Sequence, residues 1–280
     1  MTIDKKIYSF ELFPTKTSQG SEKLQRTIQT LGAYQPQFFS VTFGAGGSTQ
    51  DGTLEVVGNI QNNTAFDAAP HLSCIGSQKT KIRELLQQYQ NLGIRRLVAL
   101  RGDLPSGMQE PGDFLHANEL VQFIREETAD HFHIEVAAYP ECHPQAKNAD
   151  TDLAHFIRKV QAGADSAITQ YFYNAEAYLY FVDQCHHAGV DIPIVPGIMP
   201  ITNFTQLARF SDMCGAEIPR WIRWKLDSFG DDMESLRQFG LDVTAKLCQR
   251  LLDEGAPGLH IYTMNQHGPT EKLWQRLGLD

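Results

Sequence analysis

The chain has 280 residues, of which 42% are hydrophobic and 20% are charged, and this length allows one large domain or two small ones. Its formal net charge of −9 argues against nucleic acid and against an anionic membrane surface as binding partners. It has neither a bilayer-spanning apolar run nor a signal-peptide pattern, and its five scattered cysteines form no CxxC pair, so we expect a cytoplasmic protein.

Eight short segments are rich in β-branched and aromatic residues, which predicts β-strands. Most of the segments between them show the apolar spacing of amphipathic helices. In chain order, strands are predicted over 7–13, 37–43, 68–74, 95–103, 133–141, 166–173, 192–199 and 258–265.

The helical segments carry recognisable end signals. Ser21 is predicted to cap the start of the first helix. Gly93 is predicted to end the helix over 80–93. The longer interval before the last strand predicts two helices joined by an IPRWIRWKL connection. The clearest helical ranges are 21–34, 80–93, 150–164, 175–189, 203–214 and 231–254.

Strand and helix alternate eight times along the chain, which predicts a parallel sheet with crossover helices. Eight such units fit a closed barrel better than an open doubly wound sheet. No linker or low-complexity segment interrupts the pattern. We therefore predict the α/β class and a (β/α)8 TIM barrel that forms a single domain over residues 1–280.

Polar residues gather at the carboxyl ends of the predicted strands. In a (β/α)8 barrel these ends face the active site, whereas the strands themselves are mostly apolar. The strand ends carry Glu11, Thr42, His71, Asp103, Tyr139, Glu141, His143, Gln170 and the segment 262–265.

Glu11 lies between Phe10 and Leu12 in the first predicted strand, where burial of a carboxylate is costly. One interpretation is a structural carboxylate that pairs with a cation of a neighbouring strand. The other is a general acid, since apolar surroundings favour a protonated carboxyl. The second is favoured because so many polar residues converge on the same rim.

Two further clusters permit a structural or a functional interpretation. In LRGDLP, Arg101 and Asp103 form either an internal ion pair or part of the site, and Gly102 suggests close approach of the backbone to a ligand. Arg158 and Lys159 are predicted near the start of the helix that follows the fifth strand. They form either a solvated face or a set of phosphate ligands for a cofactor.

Two motifs resemble ligand-binding signatures without matching them. GAGGST at 44–49 lacks the third glycine of GxGxxG, so a loop after the second strand is predicted. YPECHP at 139–144 groups Glu141, Cys142 and His143, but adjacent residues point in different directions. We therefore predict no metal site.

Eight motifs, one for each predicted strand, occur in the order found in a known enzyme family. They are FELFPTKT, SVTFGAGGST, APHLSC, LRGDLP, AAYPECHPQA, ITQYFY, PGIMPITNF and HIYTMN. Together they resemble the methylenetetrahydrofolate reductase family in its short bacterial form.

The resemblance implies a flavoprotein that binds FAD at the carboxyl rim of the barrel. NADH or NADPH would reduce FAD, and FAD would then reduce 5,10-methylenetetrahydrofolate to 5-methyltetrahydrofolate for methionine biosynthesis, in a ping-pong sequence. The resemblance also implies a homo-oligomer, commonly a tetramer. Because the chain ends at Asp280, we expect no regulatory domain that responds to S-adenosylmethionine.

The resemblance also implies roles for individual residues. Glu11 matches the general acid, and Asp103 matches a second catalytic residue between flavin and folate. Thr42 and Gln170 match nicotinamide contacts. The folate contacts match Asp103, Gln170, Gln206, Phe210 and Gln266. The FAD contacts match Thr42, His71, Arg101, Gly102, Asp103, His116, Ala117, Tyr139, His143, Ala146, Asp152, His155, Arg158 and Lys159.

The sequence departs from the family pattern at two positions. His155 stands where relatives carry Asn, and Gln266 stands where they carry Arg near the folate. The loop after LRGDLP is longer, which affects the alignment of His116 and Ala117. Loss of an Arg at position 266 is expected to weaken the grip on the acidic glutamyl tail without changing the reaction.

Two alternatives remain open from the sequence. A metal-dependent TIM-barrel hydrolase would use His71, Glu141 and His143 as ligands, and a colourless protein with stoichiometric zinc would indicate it. A barrel that binds folate without turning it over is disfavoured, because Glu11 would then have no evident reason to lie in its strand.

Overall fold

Parallel β-strands form one sheet in the computed structural model, which describes residues 6–43, 50–103 and 112–279. Among these residues the strands are β1 (Ile7–Leu12), β2 (Phe38–Val41), β3 (Asp67–Ser73), β4 (Arg96–Leu100), β5 (His133–Ala138), β6 (Ser166–Thr169), β7 (Ile194–Val195), β8 (Gly197–Ile198) and β9 (Gly258–Tyr262).

The predicted seventh strand is divided at Pro196 into β7 and β8. β7 pairs with β6, whereas β8 pairs with β9. Pro196 has no N–H to donate, but its carbonyl accepts a hydrogen bond from His260 N at 3.0 Å. The other strands pair in the order β6-β5-β4-β3-β2-β1-β9, so the two ends of the sheet meet at this segment. The architecture is the predicted (β/α)8 TIM barrel.

Helices connect the strands. Their bounds are α1 (Ser18–Gly32), α2 (Gln50–Asn63), α3 (Lys79–Asn91), α4 (Ala117–Thr128), α5 (Ala149–Gln161), α6 (Ala175–His187), α7 (Phe204–Cys214), α8 (Arg220–Asp227), α9 (Met233–Asp253) and α10 (His267–Leu277).

The helix ends differ in part from the prediction. Thr17, not Ser21, caps α1, and its side chain accepts a hydrogen bond from Gly20 N at 3.1 Å. Ser21 lies inside the first turn, because the helix begins three residues earlier than its apolar pattern. Gly93 follows the end of α3 with φ of +74°, the left-handed conformation expected of a helix-ending glycine.

The IPRWIRWKL connection contains a helix of its own, α8, which the sequence did not predict. Ile222 and Leu226 are its buried residues. Two buried positions in two turns are too few to produce a recognisable helical period.

The main hydrophobic core lies between the strands and the surrounding helices. Phe10 points outward from β1 and packs against Phe39 and Trp274, with ring centres 5.8 and 5.3 Å apart. Ser9 and Glu11 point into the barrel, since alternate strand residues face opposite sides.

An ion-pair network closes the amino-terminal end of the barrel interior. Arg96 at the start of β4 bonds Glu135 of β5, which also accepts a hydrogen bond from Ser166 Oγ at 2.5 Å. The Arg96 guanidinium lies 4.6 Å from the ring centre of Phe38. Because this end is filled, a ligand would enter from the carboxyl rim.

Two sequence predictions fall outside the described residues: the loop at 44–49, and Leu104 with Pro105 of LRGDLP. Within the described ranges, we find no helix with the length and apolar character needed to cross a membrane.

Candidate active site

Glu11 lies near the carboxyl end of β1 and points into the mouth of the barrel. Its partners in the strand register are Ser40 of β2 and Tyr262 of β9. The expectation that Phe10 and Leu12 surround the carboxyl group is wrong, because both point to the opposite face of the strand. The side chain is 21% exposed, so the rim gives access to it.

Two buried imidazoles lie beside the Glu11 carboxyl group. Nε2 of His71 lies 3.5 Å from Oε2 of Glu11, and Nε2 of His260 lies 3.9 Å from the same oxygen. On the other side of its ring, His260 Nδ1 lies 2.7 Å from Ser9 Oγ. When Ser9 donates this bond, a neutral His260 carries its proton on Nε2, facing Glu11. Three strands thus contribute one continuous polar row.

Several buried polar atoms in the barrel mouth have no hydrogen-bond partner among the described residues. They are Ser40 Oγ, Thr42 Oγ1 and the Nε2 atoms of His71 and His260. Leaving such atoms unpaired is costly, so their convergence indicates a place built for a polar ligand or for ordered water. Burial lowers the pKa of His71, although the Glu11 charge opposes the shift, so this imidazole is neutral at neutral pH.

The segment after β9 fixes the end of the strand that carries Glu11. Thr263 Oγ1 donates to the Glu11 carbonyl at 2.6 Å, and the Asn265 side chain bonds both backbone groups of Phe13, at 2.8 and 3.0 Å. Met264 and Asn265 have φ of +52° and +53°, a strained conformation for residues other than glycine. This turn ties β1 to β9 and leads directly to Gln266.

Charged side chains form a second cluster beyond the ends of β4 and β5. Arg101 bonds the Gln145 side chain at 2.6 Å, and His143 N donates to Asp152 at 2.7 Å. Burial lowers the pKa of His143; Asp152 raises it, and the charges of Arg101 and Lys159 lower it again. These predicted cofactor ligands therefore share one electrostatic environment.

Arg158 and Lys159 belong to the last turn of α5, so the prediction that they lie near its start is wrong. Lys159 Nζ donates to the Ala137 carbonyl of β5, and burial lowers its pKa to about 8. No ion pair joins this lysine to a carboxylate within the described ranges, so its charge is available to an anion. Arg158 lies at the surface, and its Nη1 atom is 3.2 Å from Nδ1 of His155.

Tyr139 and Gln170 connect the two clusters. The Tyr139 ring lies edge-on to His143, with centres 4.5 Å apart. Burial raises the pKa of Tyr139 to about 12, although a hydrogen bond with the Gln170 side chain opposes this. Gln170 Oε1 also accepts a bond from Tyr171 N at 3.0 Å, so the amide is held in place. Ala146 donates its N–H to the His143 carbonyl at 2.9 Å.

His116 and His155 form a flat surface beside this cluster. Their rings are stacked, with centres 6.0 Å apart and 23° between planes. His116 caps α4, where Ala117 is the first residue. Burial lowers the pKa of His155, and Arg158 and His116 lower it further. Stacked imidazole rings offer a flat surface for a planar heterocycle.

Gly102 and Asp103 follow β4. Gly102 has φ of +78°, and a Cβ there would lie 2.9 Å from Ser73 Cβ, so packing alone requires a glycine. Asp103 is exposed. Arg101 bonds Gln145 and the Gly102 carbonyl and forms no ion pair with Asp103 in the described structure, so the internal pair is not formed.

The predicted folate positions after β8 and β9 lie beside the barrel mouth. Gln206 and Gln266 line the same large cleft. Gln266 precedes α10, and its side chain forms no capping bond. Phe210 lies further along α7 and is half-buried.

The alternative metal ligands do not come together. Glu141 accepts a hydrogen bond from Glu217 N at 2.8 Å, and His143 Nδ1 accepts one from Gln145 N at 3.1 Å. His71 faces the barrel interior. Across the ranges described above, no group of three or more His, Cys, Asp or Glu side chains is placed to hold a metal ion. The donor set of a metal-dependent hydrolase is therefore not assembled there.

Ser9 and His260 belong to the site but were not predicted from the sequence. A usable signal existed: Ser9 and Glu11, like His260 and Tyr262, are alternate polar residues in otherwise apolar strands. Barrel closure makes the first and last strands neighbours, and this brings residues 251 positions apart into contact.

A barrel with polar groups at its carboxyl rim and a plugged amino-terminal end has the architecture of a TIM-barrel enzyme. Comparison with known proteins makes the class specific, because the family model for methylenetetrahydrofolate reductase matches residues 1–278. The chain belongs to the methylenetetrahydrofolate reductase family, as its motifs predict.

Similar proteins carry the same name across bacteria and plants. The 5,10-methylenetetrahydrofolate reductase of Escherichia coli K12 is 42% identical over 271 residues, covering 97% of this chain and 90% of that protein. The enzyme of Buchnera aphidicola is 38% identical, and the alignment covers 99% of this chain and 93% of that protein. A maize protein named methylenetetrahydrofolate reductase (NADH) 1 is 40% identical, covering 97% of this chain and 48% of the plant protein. The predicted enzyme class, methylenetetrahydrofolate reductase, is therefore confirmed.

A solved structure confirms the fold. An uncharacterised protein from Clostridium thermocellum, described as binding two copies of 5-methyl-5,6,7,8-tetrahydrofolic acid, aligns with a TM-score of 0.69 over 98% of this chain and 94% of its own. At 16% identity this similarity concerns the barrel alone.

Proposed function

We propose that the protein uses FAD and NADH, or NADPH, to reduce 5,10-methylenetetrahydrofolate to 5-methyltetrahydrofolate, which serves methionine biosynthesis. Family membership supports reduction of the folate. The cofactor, the electron donor, the metabolic role and the residue roles are the proposal. The observation that carries it is the position of Glu11, an accessible acid between two buried imidazoles in the barrel mouth.

The residues beyond β4 and β5 fit FAD. Its pyrophosphate needs cations, and Arg101, Arg158 and Lys159 surround the same cluster in a chain of net charge −9. Its planar rings need flat apolar surfaces, which the stacked His116 and His155 offer. When bound, FAD supplies the two-electron chemistry that links nicotinamide to folate, which no side chain provides.

Glu11 is the proposed proton donor. Reductive opening of the five-membered ring of the substrate leaves a nitrogen that must take up a proton. The Glu11 side chain is 21% exposed, and the bond from Thr263 to its carbonyl fixes the strand at that residue. His71 and His260 flank the carboxyl group, and Ser9 fixes the ring of His260.

Gln170 and Thr42 are the proposed nicotinamide contacts. Tyr139 and Tyr171 hold the Gln170 amide, and Thr42 Oγ1 is buried without a partner among the described residues. If one amide serves nicotinamide and folate in turn, the two substrates cannot bind together, and the kinetics are ping-pong. Asp103, exposed at the end of β4, is proposed to contact the folate beside the flavin.

The nicotinamide is proposed to be NADH in the first instance. The support is the maize relative, whose name specifies NADH. NADPH is the alternative donor that the proposal allows.

The visible spectrum of the purified protein tests the cofactor assignment. Bands at about 370 and 450 nm, typical of flavins, are expected. A colourless protein that cannot be reconstituted with FAD would contradict the assignment, and stoichiometric zinc in that protein would support the hydrolase alternative.

A further inference from the structure

Helix α8 exposes two tryptophan side chains on its outer face. Its inner face is buried through Ile222 and Leu226, whereas Trp221 and Trp224 are 59% and 61% exposed. A singly exposed apolar residue is ordinary on a protein surface, but a contiguous apolar patch marks a place where a partner binds. Two exposed tryptophans one turn apart on a helix of eight residues are the start of such a patch.

The apolar area continues from α8 onto α9. Phe239 of α9 lies edge-on to Trp221, with ring centres 6.1 Å apart, and packs against Phe229 at 5.7 Å. Both phenylalanines are half-buried. Trp224 belongs to the same area, because residues three apart on a helix are neighbours. These four rings form one aromatic patch.

Charges of opposite sign lie at the two ends of α8. The Arg220 guanidinium lies 4.1 Å from the ring centre of Trp224, and Asp227 follows Trp224 by about one turn. Arg220 and Asp227 are seven residues apart, so they lie in one line along the helix, beside Trp224. Neither side chain forms an ion pair or hydrogen bond within the part of the chain that the structure describes. A free cation at one end and a free anion at the other make this face self-complementary.

A two-fold axis would pair these charges. When two copies of α8 pack antiparallel with Trp224 at the centre, Arg220 lies against Asp227 of the partner subunit, and the same contact occurs twice. Arg223 and Lys225 lie about 100° from Trp224, on opposite flanks of the helix, so they stay at the edge of the contact. The charge pattern therefore favours a second copy of this chain over an unrelated partner.

We propose that the outer face of α8 is a two-fold symmetric interface between two copies of this chain, centred on Trp224. The proposal does not depend on the proposed function. Tryptophan with basic residues also suits an anionic membrane, but Asp227, Asp231 and Asp232 at the end of α8 and the net charge of −9 oppose that surface. Tryptophan and arginine are the residues that most often dominate the binding energy of protein interfaces.

Sedimentation velocity of the full chain over about 0.1–100 µM measures the association. The double variant Trp221→Ser, Trp224→Ser should weaken it at least about a hundredfold, because two central aromatic anchors are lost. At a concentration where the wild type is associated, the mass of the particle should fall by half. The matched control is Tyr180→Ser in α6, which removes a 66% exposed aromatic ring and should keep the wild-type mass.

Tryptophan fluorescence gives a second measurement. Trp274, the third tryptophan of the chain, is 1% exposed, so quenching by acrylamide reports mainly on α8. Quenching should decrease as the concentration of wild-type protein rises through the association range. In Tyr180→Ser it should decrease in the same way.

Charge reversal tests the two-fold geometry itself. Arg220→Glu and Asp227→Arg should each weaken association about tenfold, because each places like charges opposite one another. Both changes favour the helix dipole, so α8 stays folded. An equimolar mixture of the two variants should associate as the wild type does, because every contact again joins opposite charges.

A wild type that stays monomeric over this range would overturn the proposal, as would an α8 double variant that associates like the wild type. Failure of the charge-reversed variants to complement each other would overturn the two-fold arrangement. Binding of a monomeric wild type to phosphatidylserine vesicles would assign the aromatic patch to a membrane instead.

Discussion

The chemistry of Glu11 depends on the groups that face its carboxyl oxygens. His71 and His260 lie 3.5 and 3.9 Å from Oε2, and Ser9 anchors the second ring. Phe10 and Leu12, the sequence neighbours of Glu11, point to the opposite face of the strand and pack into the core between strands and helices. The proposed proton transfer from this acid would be directed at a ligand in the barrel mouth.

The variant Glu11→Gln separates proton donation from electron transfer. Glutamine preserves the shape of the side chain but cannot donate a comparable proton. We expect reduction of methylenetetrahydrofolate to fall more than about a hundredfold, whereas NADH oxidation with a quinone acceptor in place of folate stays within about tenfold of wild type. Steady-state absorbance assays with each acceptor measure the two rates.

Glu141→Gln is the matched control for this experiment. Glu141 is also a carboxylate near the rim, and burial raises its pKa, but it accepts a hydrogen bond from Glu217 N and does not lie beside His71 or His260. Its change should affect neither assay by more than about threefold. Equal losses in both assays for Glu11→Gln would make Glu11 a structural or cofactor-positioning residue.

The charge of Lys159 predicts a pH dependence of FAD affinity. Burial lowers its pKa to about 8, and a bound pyrophosphate would raise it again, because the protonated amine is the form that pairs with phosphate. The affinity should therefore be constant below about pH 8 and fall above it by up to about tenfold per pH unit. Fluorescence titration of the apoprotein with FAD measures this.

Lys159→Met tests the assignment of that pH step. The variant should bind FAD more weakly at pH 7 and should show no step near pH 8. The imidazoles of His143 and His155 are not the source, since burial lowers their pKa values below the range in question. An unchanged step in Lys159→Met would assign it to another group.

At the scale of elements, the divided strand β7–β8 joins the ends of the sheet next to the site. Tyr262 crosses the barrel interior and donates to the Thr169 carbonyl at 2.7 Å, and Gly197 N donates to Thr169 Oγ1 at 2.9 Å. A Cβ on Gly197 would lie 2.7 Å from Tyr262 Cε2. The absence of a side chain at position 197 therefore permits both bonds.

Gly197→Ala should destabilise the barrel by about 2–3 kcal/mol, because the methyl group overpacks a rigid junction. Urea denaturation followed by circular dichroism measures the free energy of unfolding. Gly58→Ala in α2 is the control, since its Cβ would meet nothing closer than 3.9 Å. It should leave stability unchanged or raise it by up to about 1 kcal/mol. Equal stability of both variants would show that the junction adapts.

Elements with many periodic positions were predictable from sequence, and short or displaced ones were not. α5 was recognised from its apolar spacing, but Arg158 and Lys159 were assigned to the wrong end of it. α8 has two buried residues and no detectable period. Pro196 is visible in the sequence. Whether it divides a strand depends on which strands pair with the segments before and after it.

At the scale of the whole molecule, eight strand–helix units were enough to predict the barrel and hence the rim that holds the site. The contacts within the rim were not predictable, because they join residues such as Ser9 and His260 that only barrel closure brings together. The chain's net charge of −9 is likewise uninformative about the cationic region at Lys159, which depends on tertiary structure. The homo-oligomer stays a prediction.

The most direct test of the central claim is the amount of 5-methyltetrahydrofolate formed per NADH consumed, measured before and after removal of FAD. The protein as purified should form one product per NADH. The apoprotein should form none, and added FAD should restore the activity. Turnover that persists without FAD, or NADH oxidation that yields no 5-methyltetrahydrofolate, would contradict the account.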